Sequence, residues 1–273
     1  MKVLVTGANG MLGQDLCPIL EDCDFDVIET DIQNMDITNK KNVEEVISAN
    51  KPDFVIHCAA YTNVDKAEED KDTAFKINGE GTKNIAEVCK KYDITLVYIS
   101  TDYVFDGTKK DKYLPNDKTN PINVYGESKL AGEKAIQKCE KYYITRTSWL
   151  YGHHGKNFVE TMISLKDKPE LKVVDDQIGC PTWTVELANG IVKLITEEMP
   201  YGIYQICGSG HTSWYGFAKK IFELCGLNVN LKPCTTDEFP RPANRPKNSI
   251  MENNRICRRW ETALKDYIEL RTE

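Results

Sequence analysis

Tyr125 and Lys129 are the residues of this sequence whose types and spacing most directly suggest a reaction. On a helix, positions i and i+4 lie on one face, with their Cβ atoms ~6 Å apart. At an effective dielectric of ~20, an ammonium group at that distance stabilises a phenolate by roughly 3 kcal/mol, or about two pKa units. The pair therefore predicts a phenol with a lowered pKa that transfers protons, as the reduction of a carbonyl group requires.

The same spacing recurs at Tyr215 and Lys219, so the context of each pair decides its interpretation. The first pair follows a strand-like run at 95–99 and a polar turn at 100–102. In open α/β sheets, functional groups lie at such carboxyl ends of strands. The second pair begins an amphipathic helix without such a turn before it. We interpret the second pair as structural and the first as catalytic.

Strand-like and helix-like segments alternate along the first 150 residues, which predicts an α/β fold with a Rossmann-type doubly wound parallel sheet. The predicted strands lie at 2–6, 25–30, 54–58, 95–99 and 142–146. The predicted helices lie at 11–21, 42–50 and 128–139, in a long region up to 92 that is interrupted around Gly79 and Gly81, and at 156–166, 184–197, 213–225 and 260–270. We predict a dinucleotide-binding domain at 1–150 and a smaller, mainly substrate-binding lobe at 151–273, from which roughly 178–215 returns to the first domain.

A glycine loop joins the first predicted strand to the first predicted helix. Gly7 permits a tight turn, Gly10 lets the backbone approach a pyrophosphate, and Gly13 lets the helix pack on the sheet. Phosphates at the start of that helix would meet free N–H groups and the positive end of its dipole. The spacing is GxxGxxG rather than GxGxxG, and the alternative is a tight turn that binds no ligand.

Asp31 ends the second predicted strand, 18 residues after Gly13. A carboxylate there accepts hydrogen bonds from the adenosine ribose and repels a 2′-phosphate. Residues 32–34 supply no cation that would offset this repulsion. We therefore expect NADH to be preferred and NADPH to be possible. The alternative is an aspartate that only caps a turn.

Composition limits the other classes of function. The net charge of −7 argues against a dedicated nucleic-acid binder, and no apolar segment of ~20 residues predicts a membrane span. The first strand begins at Lys2, which leaves no room for a leader, and the ten cysteines contain no CxxC. We expect reduced thiols, a cytoplasmic location and no metal site, because the histidines form no ligand cluster.

Ordered motifs along nearly the whole chain resemble the extended short-chain dehydrogenase/reductase family, and within it the reductases of 4-keto-6-deoxysugar nucleotides. The motifs lie at 7–13, 36–37, 59–68, 100–107, 125–129, 146–152, 176–182, 202–204, 213–215, 241–243 and 245–249. The resemblance implies NAD(P)H-dependent reduction of the C4 ketone of dTDP-4-dehydro-β-L-rhamnose to dTDP-β-L-rhamnose. It leaves open a role for Mg²⁺ and implies a monomer or a homodimer.

The resemblance also implies roles for individual residues. Tyr125 would donate the proton, Lys129 would keep that phenol acidic and hold the nicotinamide ribose, and Thr101 would hydrogen-bond the carbonyl oxygen. The cofactor-binding residues would be Gly7, Asn9, Gly10, Met11, Leu12, Gly13, Asp31, Asp36, Ile37, Cys58, Ala59, Ala60, Tyr61, Ser100, Tyr125 and Lys129. The substrate-binding residues would be Thr62, Val64, Thr101, Asp102, Tyr103, Tyr125 and Trp149.

Several alternatives stay open. Thr101 is also a suitable turn cap, and Trp149 is also a suitable core aromatic. Sugar-nucleotide dehydratases carry a glutamate where this chain has Tyr103, which disfavours dehydration. A reductase or epimerase of another 4-keto sugar nucleotide, or a regulatory subunit that binds dinucleotide without turnover, remains possible. The segment 241–259 carries six cations and one acid, so it could hold the diphosphate of a substrate.

Overall fold

A six-stranded parallel sheet forms the centre of the structure, a computed structural model that describes residues 1–254 and 256–271. The strands are β1 (Lys2–Thr6), β2 (Asp26–Thr30), β3 (Phe54–His57), β4 (Thr95–Thr101), β5 (Tyr142–Thr147), β6 (Leu150–Tyr151), β7 (Leu171–Val174), β8 (Ile178–Gly179), β9 (Thr182–Trp183), β10 (Gly202–Gln205), β11 (Thr212–Ser213) and β12 (Leu231–Cys234). The central order is β2-β1-β3-β4-β5-β10, with every pair parallel. The predicted doubly wound parallel sheet is confirmed.

Helices cover both faces of this sheet because alternate strand residues are buried on opposite sides. They are α1 (Met11–Asp22), α2 (Lys40–Asn50), α3 (Val64–Glu69), α4 (Lys71–Phe75), α5 (Thr82–Lys91), α6 (Val124–Ile136), α7 (Phe158–Ser164), α8 (Thr184–Thr196), α9 (Trp214–Leu224) and α10 (Trp260–Arg271). Val3 and Val5 pack in a core with α1 and α8, whereas Leu4 and Val55 pack in a core with α2 and α5. None of the helices described is long and apolar enough to cross a membrane.

Two predicted helix bounds differ from the structure in ways that affect the site. Helix α6 begins at Val124 rather than 128, because Asn123 caps it by accepting a hydrogen bond from the Gly126 N–H at 2.8 Å. The chain also stays helical through Gly79 and Gly81, where Lys76–Gly81 forms a π-helical segment between α4 and α5. A Cβ atom at Gly81 would lie 2.9 Å from the Ile37 side chain, so this glycine permits close packing rather than a break.

A separate hydrophobic core lies after residue 150, where Tyr151, Phe217 and Trp260 pack among β7, α7, α9 and α10. Strand β10 pairs with β5, so the chain re-enters the central sheet after leaving it. The division of the chain at residue 150 stays a prediction.

A buried ion pair joins β5 to α6 beneath the carboxyl edge of the sheet. Arg146 donates to Glu133 from Nε at 2.9 Å and from Nη2 at 2.7 Å, and both side chains are buried. The Ser100 hydroxyl donates to the same carboxylate at 2.5 Å, and Arg146 also donates to the Pro115 carbonyl at 2.9 Å. These bonds fix the ends of β4 and β5 against the helix that carries Tyr125.

Replacing one partner of this pair should destabilise the fold. We expect Glu133→Gln to lower the free energy of unfolding by about 3–5 kcal/mol, because Arg146 would keep a buried charge without a counter-ion. The matched control is Asp93→Asn, which breaks an exposed 2.6 Å pair with Lys141 and should cost under about 1 kcal/mol. Urea unfolding of both variants provides the comparison, and equal losses would contradict the role of the buried pair.

Candidate active site

The glycine loop meets the end of β3 at the point where the strand order reverses, between β1 and β3. Gly7 adopts φ +66°, and a Cβ atom there would lie 2.8 Å from the backbone N and Cα of Ala59. The Gly10 N–H closes the turn by donating to the Gly7 carbonyl at 3.0 Å. A Cβ atom at Gly13 would meet the Ala8 carbonyl at 2.5 Å. Larger side chains are therefore incompatible with this crevice.

Asp31 lies beside the glycine loop at the end of β2. Its carboxylate accepts from the Asn9 N–H at 3.2 Å and from the Ile32 N–H at 2.7 Å. It therefore caps a turn, and its predicted contact with the adenosine ribose stays a prediction. A surface cleft of about 350 Å³ opens here, lined by Ala8, Asn9, Glu29, Thr30, Asp31, Gln33 and Asn34. This lining contains two carboxylates and no cation.

Asp36 and Ile37 lie in the turn before α2. The Asp36 carboxylate accepts from the N–H and hydroxyl of Thr38 at 2.9 and 2.8 Å, and Ile37 is buried against Gly81. Their local contacts are structural, and their predicted proximity to adenine stays a prediction.

Asn78, which our sequence interpretation missed, links the cofactor side of the site to the catalytic helix. Its carbonyl oxygen accepts from the Tyr61 N–H at 2.8 Å, and its amide donates to the Tyr61 carbonyl at 3.0 Å and to the Ser128 hydroxyl at 2.9 Å. Ser128 in turn donates to the Tyr125 carbonyl at 2.8 Å. An amide inside a helix resembles a surface residue in sequence, and only its position in the π-helical segment distinguishes it.

Tyr125 occupies the first turn of α6 and faces the end of β4. Its ring contacts Tyr103 edge-on, with centroids 5.9 Å apart, and its phenol lies near the Thr101 side chain. Burial raises the pKa of Tyr125 to about 12, an effect that the nearby Thr101 hydroxyl partly offsets and the Asp102 charge reinforces. The predicted lowering of this pKa is therefore wrong for the protein alone, since desolvation of the phenolate dominates.

Lys129 is buried against the ring of Tyr98. Its Nζ lies 4.2 Å from the centroid of the Tyr98 ring, and the side chain is 3% exposed. Burial lowers the pKa of Lys129 to about 7, although the nearby charge of Glu133 opposes this shift. The i,i+4 spacing thus brings the two residues onto one helix face without making the ammonium group the main control of the phenol.

Thr101 and Asp102 form the polar turn at the end of β4. The Thr101 hydroxyl donates to Asp102 Oδ1 at 3.0 Å and accepts from the Tyr103 N–H at 3.2 Å, so it caps the turn and also meets Tyr125. Asp102 is 2% exposed, and its Oδ2 has no hydrogen-bond partner among residues 1–254 and 256–271. Burial raises the pKa of Asp102 to about 6. An acceptor this buried suits a ligand hydroxyl.

Other predicted residues have different surroundings. Trp149, at φ +48°, stacks on Trp214 with centroids 3.5 Å apart, and a Cβ atom at Gly179 would lie 2.5 Å from its ring. Trp149 is partly buried beside this core, so its role as a substrate contact stays a prediction. The Ser100 hydroxyl donates to Glu133 of the buried ion pair, and its role at the cofactor stays a prediction.

The remaining predicted contacts lie at the end of β3. Thr62 is exposed and Val64 partly buried, at the start of α3. The Cys58 N–H donates to the Thr6 carbonyl at 3.1 Å, and Ala60 and Tyr61 follow along the same edge. No group of three or more His, Cys, Asp or Glu side chains in the described part of the chain is arranged to hold a metal ion.

The lowered pKa of Lys129 predicts a pH dependence of stability. Between about pH 7 and 10, the unfolded chain binds a proton at this lysine that the folded protein does not, so stability rises with pH. The free energy of unfolding of the wild type minus that of Lys129→Met should increase by about 1.4 kcal/mol per pH unit over pH 7–9.5, and should be flat below pH 6. Lys134→Met, which removes an exposed lysine from the same helix, is the control. A flat difference across the upper range would show that Lys129 stays charged.

Comparison with known proteins gives concordant results. A family model described as the RmlD substrate binding domain matches residues 1–272. A dTDP-4-dehydrorhamnose reductase structure from Clostridium acetobutylicum ATCC 824 is 48% identical, covers 100% of both chains and superposes with a TM-score of 0.97. One from Bacillus anthracis str. Ames, solved in complex with NADP, is 43% identical, covers 98% of this chain and 99% of its own, and has a TM-score of 0.95.

A curated relative extends the match. The spore coat polysaccharide biosynthesis protein SpsK of Bacillus subtilis (strain 168) is 41% identical over 279 residues, which cover 99% of this chain and 98% of that protein. Because the family model and these relatives match nearly the whole chain, this protein belongs to the dTDP-4-dehydrorhamnose reductase family of NAD(P)H-dependent oxidoreductases.

Proposed function

We propose that this protein reduces the C4 ketone of dTDP-4-dehydro-β-L-rhamnose to dTDP-β-L-rhamnose. The observation that carries the proposal is the position of the Tyr125 phenol beside the Thr101 side chain at the carboxyl edge of β4. Two hydroxyls that meet at this edge, near the crevice between β1 and β3, can both address one carbonyl oxygen. The names of the two matched structures given above support the choice of substrate.

Tyr125 acts as the general acid in this proposal. A nicotinamide dinucleotide, when bound, supplies the hydride that goes to C4. Tyr125 gives its proton to the oxygen as it becomes an alkoxide. The Thr101 hydroxyl, on rotating away from Asp102 Oδ1, donates a hydrogen bond that stabilises the developing charge. A raised pKa does not prevent this step, because an alkoxide is far more basic than a phenolate. Burial keeps the phenol protonated at neutral pH, which is the form that reduction requires.

Residues of the crevice would hold the dinucleotide. The glycine-loop residues Gly7–Gly13 offer backbone N–H groups and room for a pyrophosphate, as a cofactor of this class requires. Asp31 would accept hydrogen bonds from the adenosine ribose, and Lys129 would hold the nicotinamide ribose. The buried, unpartnered oxygen of Asp102 would accept from a sugar hydroxyl. A cytoplasmic location and a monomeric or homodimeric state stay predictions.

Asp31 should make NADH the better substrate, although the Bacillus anthracis relative was solved with NADP. We expect kcat/KM for NADH to exceed that for NADPH, and Asp31→Asn to shift the ratio toward NADPH by at least about tenfold, because it removes a charge that repels the 2′-phosphate. Asp26→Asn, at the opposite end of β2, is the control and should leave the ratio within about twofold. A tenfold advantage of NADPH in the wild type would refute the assignment.

Replacing Tyr125 tests the mechanism. In a nicotinamide-oxidation assay with dTDP-4-dehydro-β-L-rhamnose, Tyr125→Phe should lower kcat by about 10² to 10⁴, because the proton donor is lost while the ring remains. The affinity for NADH should change little. Tyr215→Phe removes the hydroxyl of the second tyrosine with the same lysine spacing and should retain near-wild-type kcat.

The same assay separates the alternatives. A panel of 4-keto sugar nucleotides should show the highest kcat/KM with the dTDP-rhamnose precursor. Faster turnover of another ketone would change the substrate but keep the mechanism. Tight NADH binding without turnover of any member would favour a regulatory subunit, and normal turnover by Tyr125→Phe would remove the mechanism.

A further inference from the structure

The basic segment 241–259 resolves into separate ion pairs in the structure. Of its six cations, Arg255 lies outside the described residues. Lys247 lies 4.0 Å from Asp176, Arg259 lies 2.8 Å from Glu261, and Arg258 contacts both Glu186 and Asp266 at 2.7 Å. Each of these three cations is matched by at least one acid. The excess charge read from the sequence is therefore largely neutralised here.

Asp65 is the exception, because one carboxylate holds two guanidinium groups. Arg245 donates to Asp65 Oδ1 and Oδ2 at 3.0 Å each, and Arg241 donates to Oδ2 from Nε at 3.0 Å and also from Nη2. The Ala243 N–H adds a bond at 3.3 Å. Burial opposes ionisation of Asp65, but the bonds from both arginines lower its pKa to about 2. The cluster therefore carries a formal charge of +1.

This cluster borders the proposed substrate site. Asp65 lies in the first turn of α3, and the Arg245 guanidinium is close enough to Tyr103 for its charge to oppose the rise that burial causes in the pKa of that phenol. Tyr103 packs edge-on against Tyr125. The Asn123 side chain, which caps the catalytic helix, donates to the Asn244 carbonyl at 2.7 Å. Tyr103 and Asn123 thus link Arg245 and its neighbour Asn244 to the helix that carries Tyr125.

Arg241 retains donors for a ligand. Its Nη1 makes no hydrogen bond to any residue in 1–254 or 256–271, and its side chain is 48% exposed. Arg245, by contrast, is mostly buried and donates to Asp65 and to the Ala243 carbonyl. A guanidinium that is oriented by a carboxylate and still has free N–H groups suits a phosphate oxygen, which it binds with charge-assisted hydrogen bonds.

We propose that Arg241, oriented by Asp65 beside Arg245, binds the diphosphate of the sugar nucleotide. The proposal rests on the function proposed above for the substrate class, but it concerns binding and needs no turnover. The sugar would then extend from this cluster past Tyr103 to Tyr125. The cofactor pyrophosphate has its own place at the glycine loop, so the two diphosphates would be held by separate groups.

Titration calorimetry with dTDP on the full-length protein tests this assignment. We expect Arg241→Gln to weaken dTDP binding by roughly ten- to a hundredfold, because charge-assisted bonds to the phosphates are lost. Arg259→Gln removes the same charge from an exposed pair with Glu261 and should keep dTDP affinity within about twofold. The affinity of Arg241→Gln for NADH, measured by fluorescence, should also stay within about twofold and reports that the fold is intact.

Any of four outcomes would overturn the proposal. Arg241→Gln binds dTDP as the wild type does, Arg259→Gln loses as much affinity, Arg241→Gln loses NADH affinity equally, or the wild type does not bind dTDP. If instead dTDP binding depends on Arg241 but no ketone is reduced, the diphosphate site stands and only the proposed reaction fails.

Discussion

The start of helix α6 is the constraint on which the geometry of the site depends. Asn123 caps the helix through the Gly126 N–H and also donates to the Asn244 carbonyl of the second lobe. A Cβ atom at Gly126 would lie 2.2 Å from the Tyr103 carbonyl, so the helix can approach the β4 turn only because this residue is glycine. These contacts bring Tyr125 to Thr101. A helix that began one turn later would leave the phenol on a flexible loop.

Burial sets the charge state of the reacting groups. It raises the pKa of Tyr125 and lowers that of Lys129, so both shifts favour the uncharged forms. The phenol therefore remains an acid at neutral pH, as reduction in this direction needs. Burial also raises the pKa of Asp102, which favours its neutral form. The Oδ2 atom of Asp102 has no hydrogen-bond partner in the described part of the chain. The site can therefore bind a polar ligand and donate a proton to it, because the phenol is protonated and not ionised.

The alternation of strands and helices in the sequence was enough to predict the central sheet and the glycine loop. The spacing of residues in the sequence is less informative about where the ends of long side chains lie. The Tyr125–Lys129 spacing predicts neighbouring Cβ atoms, but four further rotatable bonds let the ammonium group reach the Tyr98 ring instead. Asn78 was not predicted as a site residue because its two partner residues, Tyr61 and Ser128, come from distant segments of the chain.

Long-range pairing explains most of what else could not be predicted. Asp65 and Arg241 are 176 residues apart, and no periodicity in the sequence relates them. The net charge of 241–259 indicates a basic segment, whereas the structure shows that two of its cations share a single carboxylate. The stacking of Trp149 on Trp214, 65 residues further along the chain, is likewise invisible in the sequence pattern.

The most direct measurement is a crystal structure of the complex with dTDP-rhamnose and the oxidised cofactor. We expect the C4 hydroxyl oxygen of the sugar to lie about 2.6–3.2 Å from both Tyr125 Oη and Thr101 Oγ1, with the nicotinamide ring adjacent to C4. A sugar bound with C4 remote from that tyrosine, or a Tyr125 ring turned away from the nicotinamide, would show that Tyr125 is not the proton donor.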